Sequence, residues 1–325
     1  MKDIILNPKY LLVSGKTKDV YGNVPMEYDP DGTCVLLHFK NAITGHIIKK
    51  ADGTKEVVPD SGGNEVVGTV ENRDSQNLIS SAYYFELFEK AGLKTHYVIH
   101  NLEEKTMIVK KAEVLGKNGI EVITRPEAEG SILRIYPEYV ERGQKMPDFI
   151  QFTTKNDATG DPTISEELMN YLNIMAPSQI YQAKKTVFAA TNVIAEDLKK
   201  LGLTLIDIKF ELGVIDEDII IIDEVSSGIM RVRYDELILT SDELADILVT
   251  REVPTKEEIY KNRLLKEQDA HKKTKVELEK ARAILNAQHT IDIHRLQTMG
   301  NYIIPFLPQI SEEVQRLLLE PKSGE

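Results

Sequence analysis

The clearest hydrophobic pattern along the chain is an alternation of apolar and charged positions in residues 205–231, LIDIKFELGVIDEDIIIIDEVSSGIMR. Side chains two residues apart in a strand point to the same face, so Asp207, Lys209 and Glu211 are predicted to line one face. A glycine turn and an acidic tip then precede a second strand of four isoleucines, which leads into an Asp–Glu pair. The pattern predicts a β-hairpin that brings two more carboxylates close to the charged row.

The charged face of this hairpin is the strongest candidate for a functional site. Several carboxylates around one lysine, here Asp223 and Glu224 beside Lys209, suit a divalent cation and a polyphosphate. A solvated face of an amphipathic hairpin is the alternative interpretation. Because the second strand is apolar on both faces, the hairpin is predicted to be buried on one side, which favours the functional interpretation.

The rest of the pattern predicts a β-rich beginning, a mixed middle and a helical end. Short strands bounded by glycine dominate residues 10–115, and helical periodicity is present in residues 75–91 and 178–201. A long charged helix over residues 255–297 begins with a threonine–glutamate capping box. The predicted fold class is α+β. The predicted β-rich N-terminal lobe, mixed central lobe and C-terminal helical region comprise residues 1–115, 116–250 and 251–325.

Composition narrows the class of protein. The chain has 325 residues and a formal net charge of -12, which argues against a nucleic-acid or anionic-membrane surface. Its single cysteine, Cys34, excludes an intramolecular disulfide and a cysteine-rich metal site. Neither a signal peptide nor an apolar run of about 18 residues is found, so a cytoplasmic protein with small-molecule partners is expected.

A basic turn near the start of the chain is a candidate phosphate-binding segment. In SGKTKDVYG, Gly15 allows backbone N–H groups to approach a phosphate, while Lys16 and Lys18 neutralise its charge. The Walker pattern GxxxxGK[ST] is absent, so a P-loop is not predicted. An ordinary basic turn is the alternative interpretation.

Several segments together carry a resemblance to a known family. The segment IDIKFELG is followed by an apolar strand and DE, and six others stand in the same order as in that family: SGKTKDVYG, LLHFKNAITG, NLISSAYYFELFEKAGLKTH, MIVKKAEVL, ITRPEAEGSILRIY and KNDATGDPTIS. They cover about residues 10–240. On these motifs the chain resembles the SAICAR synthetase family, the phosphoribosylaminoimidazole-succinocarboxamide synthases of the purine pathway.

The resemblance implies a reaction and its cofactors. ATP with Mg²⁺ would sit in a cleft between the N-terminal and central lobes. A carboxylate on an aminoimidazole ribonucleotide would be phosphorylated, and the amine of L-aspartate would then attack the acyl phosphate to give an amide, ADP and phosphate. Positioning and charge neutralisation would supply most of the rate enhancement.

The resemblance also implies roles for individual residues. The implied metal ligands are Glu211 and Asp223, and the implied catalytic residues are Asp207 and Lys209. The ATP-binding residues would be Gly15, Lys16, Lys18, Lys110, Lys111, Glu211 and Asp223. The ribonucleotide-binding residues would be Arg125, Ser131 and Arg231.

Three places depart from the family pattern on the substrate side. His46 and the pair Arg73 and Asp74 replace other residue types, and the loop at residues 226–230 lacks an aspartate. The ATP and metal segments keep the pattern. Three alternatives therefore stay open: a ligase of the same mechanism on another carboxylate or amine, a small-molecule kinase, or a nucleotide-binding regulator without turnover. A homo-oligomer is possible, and the contacts of the C-terminal helices stay open.

Overall fold

The computed structural model describes residues 6–49, 55–59 and 65–287. Its helices are α1 (Arg73–Lys90), α2 (Ser131–Ile135), α3 (Glu166–Tyr171), α4 (Pro177–Lys200), α5 (Ser241–Thr250) and α6 (Lys256–Ala287). Its strands are β1 (Leu11–Ser14), β2 (Lys18–Tyr21), β3 (Cys34–Phe39), β4 (Ala42–Lys49), β5 (Lys55–Pro59), β6 (Glu65–Thr69), β7 (Tyr97–Asn101), β8 (Thr106–Lys110), β9 (Glu113–Val114), β10 (Ile120–Thr124), β11 (Ile150–Thr154), β12 (Leu203–Ile215), β13 (Asp218–Ile222), β14 (Met230–Tyr234) and β15 (Leu237–Ile238).

A five-stranded antiparallel sheet forms the first layer, in the order β1-β2-β3-β8-β7. The apolar run of β3 supplies its core, where Leu36 and Phe39 are buried. Helix α1 packs against this sheet and buries Phe85 and Phe88. In the register of β2 and β3, Lys18 lies opposite Phe39, which fixes the end of the basic turn against the core.

The second sheet is built around β12, a strand of 13 residues. Its strand order is β11-β10-β12-β14-β15, and β13 and β9 also pair with β12. Ile208, Phe210 and Leu212 are each 1% exposed, and burial of such side chains contributes about 1.5–3 kcal/mol each. Helix α4 packs against β12. The apolar positions thus belong to the core, and the charged positions between them remain available for a site.

The predicted hairpin of residues 205–231 is confirmed. Strands β12 and β13 pair antiparallel, with Ile215 opposite Asp218. The two residues between them, Asp216 and Glu217, have φ of 50° and 68°. Positive φ at both central positions is typical of the turn whose twist matches that of a hairpin.

The described residues fall into two compact units, one within Met1–His46 and Pro59–Val253 and the other within Ile47–Val58 and Pro254–Glu325. In the first unit, β4 pairs with β6, with Ala42 opposite Thr69. In the second, the main-chain N–H of Thr255 donates to the Glu258 carboxylate at 2.8 Å, as in the predicted capping box. The predicted helical segment beyond residue 287 lies outside the described residues.

The predicted α+β fold class is confirmed by these antiparallel sheets and packed helices. Helices α1 and α4 correspond to the helices predicted at residues 75–91 and 178–201. The three-part domain division stays a prediction. Among the described residues, no helix has both the length and the apolar character needed to cross a bilayer.

Candidate active site

Two neighbouring cavities open in the first compact unit, with volumes of about 470 Å³ and about 500 Å³. The first is lined by the basic turn and by the end of the β12–β13 hairpin, and the second by residues around Arg125. Four residues line both cavities: Glu121, Asp161, Lys209 and Ile229. Molecules bound in the two cavities would therefore meet at a shared wall.

Lys18 anchors the basic turn to the acidic end of the hairpin. It is 6% exposed, and its ammonium lies 2.9 Å from the Glu224 carboxylate and 3.3 Å from that of Asp223. Burial disfavours the ammonium, but Asp223 and Glu224 outweigh it and raise the pKa of Lys18 well above its usual value. Lys18 is therefore a permanent cation in the wall of the first cavity.

Gly15 gives the basic turn its tight shape. Its N–H donates to the Lys18 carbonyl at 2.8 Å. A Cβ at this position would lie 2.8 Å from the same carbonyl oxygen, so a larger residue would push the turn open. Gly15 and the exposed Lys16 both line the first cavity, where a phosphate would meet them.

Two carboxylates and a lysine face each other in the first cavity. The Lys155 ammonium lies 2.6 Å from the Glu211 carboxylate. Burial and the charge of Asp223 raise the pKa of Glu211. Burial acts in the same direction on Asp223, but Lys18 and Lys155 prevail and lower its pKa. The two carboxylates thus repel each other when both are ionised, and a cation between them would stabilise both ionised forms.

The fit of a divalent metal to these residues follows from the donor set. In the part of the chain that the structure describes, no group of three or more histidine, cysteine or acidic side chains forms a metal centre. Mg²⁺, however, is commonly held by one or two carboxylates together with water and substrate phosphates. Glu211 and Asp223 supply two carboxylates, so the site fits a metal that arrives with a polyphosphate.

The backbone at Asp223 is held in an uncommon conformation. Its φ is 73°, in the left-handed region, which aspartate tolerates better than most residues. The His96 ring, which is 3% exposed, lies close to Asp223 and interacts with its backbone and its charge. Burial lowers the pKa of His96 to about 4, so the ring is neutral near pH 7. His96 therefore supports the backbone of this acid without competing for its charge.

The shared wall carries a second lysine–glutamate pair. Lys209 donates to the Glu121 carboxylate at 2.7 Å, and Thr153 donates to the same carboxylate at 3.1 Å. Antiparallel pairing of β10 with β12 sets Glu121 opposite Glu211. The Lys209 ammonium is thereby held between the two cavities.

The second cavity is built around two arginines that share one carboxylate. Asp207 accepts from Arg125 at 2.6 Å and from Arg231 at 2.8 Å. Arg125, which is 2% exposed, also donates to Ser131 Oγ at 2.9 Å. Two guanidinium groups on one carboxylate leave a local charge of +1, and such a cluster suits a phosphate or carboxylate.

Gly130 makes room for this arginine pair. A Cβ on Gly130 would lie 2.7 Å from Arg231 Cζ, and the residue has φ of 72°. Both facts favour glycine, because a side chain would displace the guanidinium and strain the backbone.

The predicted site residues fall into three sets. Gly15, Lys16, Lys18, Lys209, Glu211 and Asp223 line the first cavity. Arg125, Ser131, Asp207 and Arg231 line the second, and Lys209 is shared. Lys110 lines a separate cavity of about 440 Å³, beside Lys94 and Asp218, and Lys111 is an exposed residue in none of these three linings. Roles for these residues stay predictions.

Two side chains of the site, Glu121 and Lys155, were not singled out from the sequence, and Arg73 was noted only as a departure from the family pattern. All three line the first cavity. The strand GIEVITR and the loop KNDATGDP contain the first two, but neither segment alone indicates the partner of its charged residue.

Comparison with known proteins decides the family. A SAICAR synthetase family model matches residues 61–246. The phosphoribosylaminoimidazole-succinocarboxamide synthase of Clostridium tetani is 36% identical over 227 residues, which are 69% of this chain and 92% of that protein. The enzyme of the same name from Methanocaldococcus jannaschii is 32% identical over 225 residues, 69% of this chain and 81% of its own. The chain belongs to the SAICAR synthetase family.

Solved structures agree on the fold. The SAICAR synthetase of Ehrlichia chaffeensis superposes with a TM-score of 0.59 at 22% identity, over 72% of this chain and 90% of that one. A SAICAR synthetase in complex with ADP gives a TM-score of 0.58 at 23% identity, over 75% of this chain and 99% of its own. The predicted family and the SAICAR-synthetase-like fold are thus both confirmed.

At two of the departures from the SAICAR synthetase pattern, the residues make hydrogen bonds or ion pairs within the protein. Arg73 is 2% exposed and pairs with Asp242. In the altered loop, Ser227 Oγ accepts from Arg73 at 2.9 Å and Ser226 Oγ donates to Glu224 at 3.2 Å. The departures at residues 73 and 226–230 therefore contact one another. The third departure, the His46 side chain, lies outside the described residues.

Proposed function

We propose that this chain joins the amine of L-aspartate to the carboxylate of a carboxyaminoimidazole ribonucleotide, with cleavage of ATP to ADP and phosphate. Family membership confirms the predicted class, an ATP-dependent ligase of purine biosynthesis. The observation that carries the proposal is the pair of cavities with Lys209 in their shared wall. One cavity suits a metal-bound triphosphate and the other suits a phosphorylated acid.

The ribonucleotide is assigned to the second cavity. Its phosphate would pair with the Arg231 guanidinium, whose side chain is 17% exposed, while the more deeply buried Arg125 supports Ser131. Asp207 accepts from both arginines and keeps their guanidinium groups in place. Asp207 therefore acts as a positioning residue, and this refines its predicted catalytic role.

ATP is assigned to the first cavity. The turn from Gly15 to Lys18 would contact its phosphates, with backbone N–H groups and ammonium groups as donors. A Mg²⁺ ion held by Glu211 and Asp223 would neutralise the phosphate oxygens when bound. Lys155, which pairs with Glu211, lies where it can contact the same phosphates.

The two chemical steps follow from this placement. A carboxylate oxygen of the ribonucleotide attacks the γ-phosphorus, and ADP leaves. The amine nitrogen then attacks the acyl carbon, loses its proton, and displaces phosphate to form the amide. Lys209, held between the cavities by Glu121, would neutralise the acyl phosphate oxygens in both steps.

Release of ADP tests the proposal. Purified protein with ATP and Mg²⁺ should release ADP rapidly only when both the ribonucleotide and L-aspartate are present, and mass spectrometry should detect the amide product. Reactions without the ribonucleotide, or without the amino acid, are the controls. If the protein instead released one ADP for each molecule of an alcohol that it phosphorylated, without any amine in the reaction, a kinase would be favoured.

A further inference from the structure

The N-terminal turn of α1 presents two buried polar side chains to the first cavity. Arg73 is 2% exposed and Asn77 is 4% exposed, and both line the cavity. Residues four apart in a helix lie on the same face, so the two side chains are neighbours. The predicted ATP, metal and ribonucleotide residues do not include either of them.

Each of these side chains has one polar atom without a partner. The terminal nitrogens of Arg73 donate to Ser227 Oγ at 2.9 Å, to the Ser241 carbonyl at 3.1 Å, and to the Asp242 carboxylate. Arg73 Nε and Asn77 Oδ1 are buried and have no hydrogen-bond partner among the described residues. A buried unpaired donor or acceptor costs about 1–3 kcal/mol, and a ligand that pairs with it removes that cost.

We propose that Arg73 and Asn77 hold the L-aspartate substrate, an inference that rests on the proposed function. Its carboxylate would accept from Arg73 Nε, and its amine would donate to Asn77 Oδ1. One donor beside one acceptor matches these two groups. A fully ionised phosphate carries acceptor oxygens only, so it would repel Asn77 Oδ1.

The position of the pair also suits the second chemical step. The first cavity contains Lys209, which reaches the second cavity, so an amine in the first cavity can approach an acyl carbon at the shared wall. Asp242 pairs with a terminal nitrogen of Arg73 and offsets its charge. What Arg73 still offers is one hydrogen bond from Nε, which suits a single carboxylate better than a polyphosphate.

If Arg73 had only a structural role, its terminal nitrogens would suffice for that role and its Nε would not be needed. The contacts with Ser227, Ser241 and Asp242 connect α1 to the altered loop and to α5, and all of them come from the terminal nitrogens. An ammonium can make such contacts as well, whereas only arginine offers an Nε–H. The variant Arg73→Lys therefore separates the two roles.

The experiment compares Arg73→Lys with wild type, and Arg251→Lys serves as a matched control because Arg251 is a partly buried arginine that lines neither cavity. The assay measures KM for L-aspartate and KM for ATP. A parallel reaction replaces the amino acid with hydroxylamine, which lacks a carboxylate and traps the acyl phosphate as a hydroxamate with release of phosphate.

In Arg73→Lys we expect KM for L-aspartate to rise roughly tenfold or more, with KM for ATP and hydroxamate formation within about twofold of wild type. Asn77→Ala should give the same pattern, and this second variant decides the matter if Arg73→Lys fails to fold. An unchanged KM for L-aspartate, a raised KM for ATP, or equal loss of hydroxamate and amide would each overturn the inference. A wild type that forms neither product would remove the proposed function, and the inference would fall with it.

Discussion

Two buried aspartates, ten residues apart in the chain, meet their arginines in different ways. Asp197, on α4, is 3% exposed and accepts two hydrogen bonds of 2.8 Å from one arginine, Arg251. Tyr83 adds a third at 2.8 Å, and its ring lies 4.7 Å from the Arg251 guanidinium carbon. Asp207, on β12, is also 3% exposed but accepts from two arginines.

The difference separates a structural ion pair from a candidate binding site. One carboxylate and one arginine neutralise each other at Asp197, and neither residue lines the two cavities. Two arginines share Asp207, so one positive charge remains, and all three residues line the second cavity. A net positive charge at a cavity wall favours an anionic ligand, whereas the balanced Asp197–Arg251 pair lies outside both cavities and connects helices.

The largest expected effect comes from removing each carboxylate in turn. Asp197→Asn and Asp207→Asn should both lower the free energy of unfolding, by up to about 3–5 kcal/mol, because each leaves an arginine that is buried or partly buried without its anion. Only Asp207→Asn should also lower kcat/KM for the ribonucleotide, by about 10²-fold or more. Chemical denaturation and steady-state kinetics of the folded fraction measure the two quantities.

An equal fall in kcat/KM in the two aspartate variants would contradict the distinction between the clusters, because the Asp197–Arg251 pair would then affect the site as well. Normal kcat/KM in Asp207→Asn would show that the arginine pair needs no anion between its guanidinium groups. Assays at a temperature where both variants are folded keep stability out of the kinetic result.

The next largest effect is expected at the carboxylates of the first cavity. Glu211→Gln and Asp223→Asn keep the side-chain shape and remove one charge, and asparagine also tolerates the left-handed backbone at residue 223. Turnover should fall by about 10²-fold or more, and calorimetry should show ATP affinity that no longer depends on Mg²⁺. Wild-type affinity that is unchanged by EDTA would contradict the metal assignment.

The sequence was informative where the physics is local. Alternation along β12 predicted that the charged side chains at residues 207, 209 and 211 are available to a site, and each lines at least one cavity. The acidic tip predicted at Asp216 to Asp218 is where the chain turns, and the register is set locally by Ile215 opposite Asp218. The basic turn at Gly15 was found in the same way. The predicted glycine turn is wrong, because Gly213 lies within β12 and pairs with Ile220.

Long-range pairing was the part that sequence patterns did not supply. Glu121 meets Lys209 only through the antiparallel register of β10 with β12, 88 residues apart. Arg125 meets Asp207 across 82 residues. The family resemblance, and not the strand pattern, implied an ATP contact for Lys110; its side chain lines another cavity, and its role stays a prediction. Such partners depend on topology, which local periodicity does not specify.

A smaller effect should distinguish the arginines themselves. Arg231→Lys keeps the charge but loses the planar fork that binds an oxyanion with two hydrogen bonds. KM for the ribonucleotide should rise about tenfold, with KM for ATP unchanged, whereas Arg251→Lys should change neither constant and should lower the melting temperature. A raised ribonucleotide KM in Arg251→Lys would contradict the separation of the two clusters.

The smallest effect concerns a third cluster, which tests whether surplus charge alone makes a binding site. Glu127 is shared by Arg233, at 2.8 Å, and Lys145, so it has two cations just as Asp207 has. These cations are 30% and 69% exposed, however, and water screens them. Glu127 lines neither of the two cavities. We therefore expect the burial of a cluster in a cavity wall, and not its ratio of cations to carboxylates, to decide whether it binds a ligand.

The hydrogen bond from Arg233 lowers the pKa of Glu127 more than burial raises it, and Lys145 adds to the effect. A lowered folded-state pKa stabilises the protein above the ordinary value of 4.5, and that stability is lost as the pH falls through the folded value. Glu127→Gln should thus lower the free energy of unfolding by about 1 kcal/mol at pH 7, which corresponds to about 2 °C in melting temperature. The difference in stability between variant and wild type should shrink below pH 4.5. The kcat/KM of the variant at pH 7 should equal that of wild type. A loss of ribonucleotide affinity in this variant would mean that an exposed cluster also serves the site, and that charge ratio was the deciding property after all.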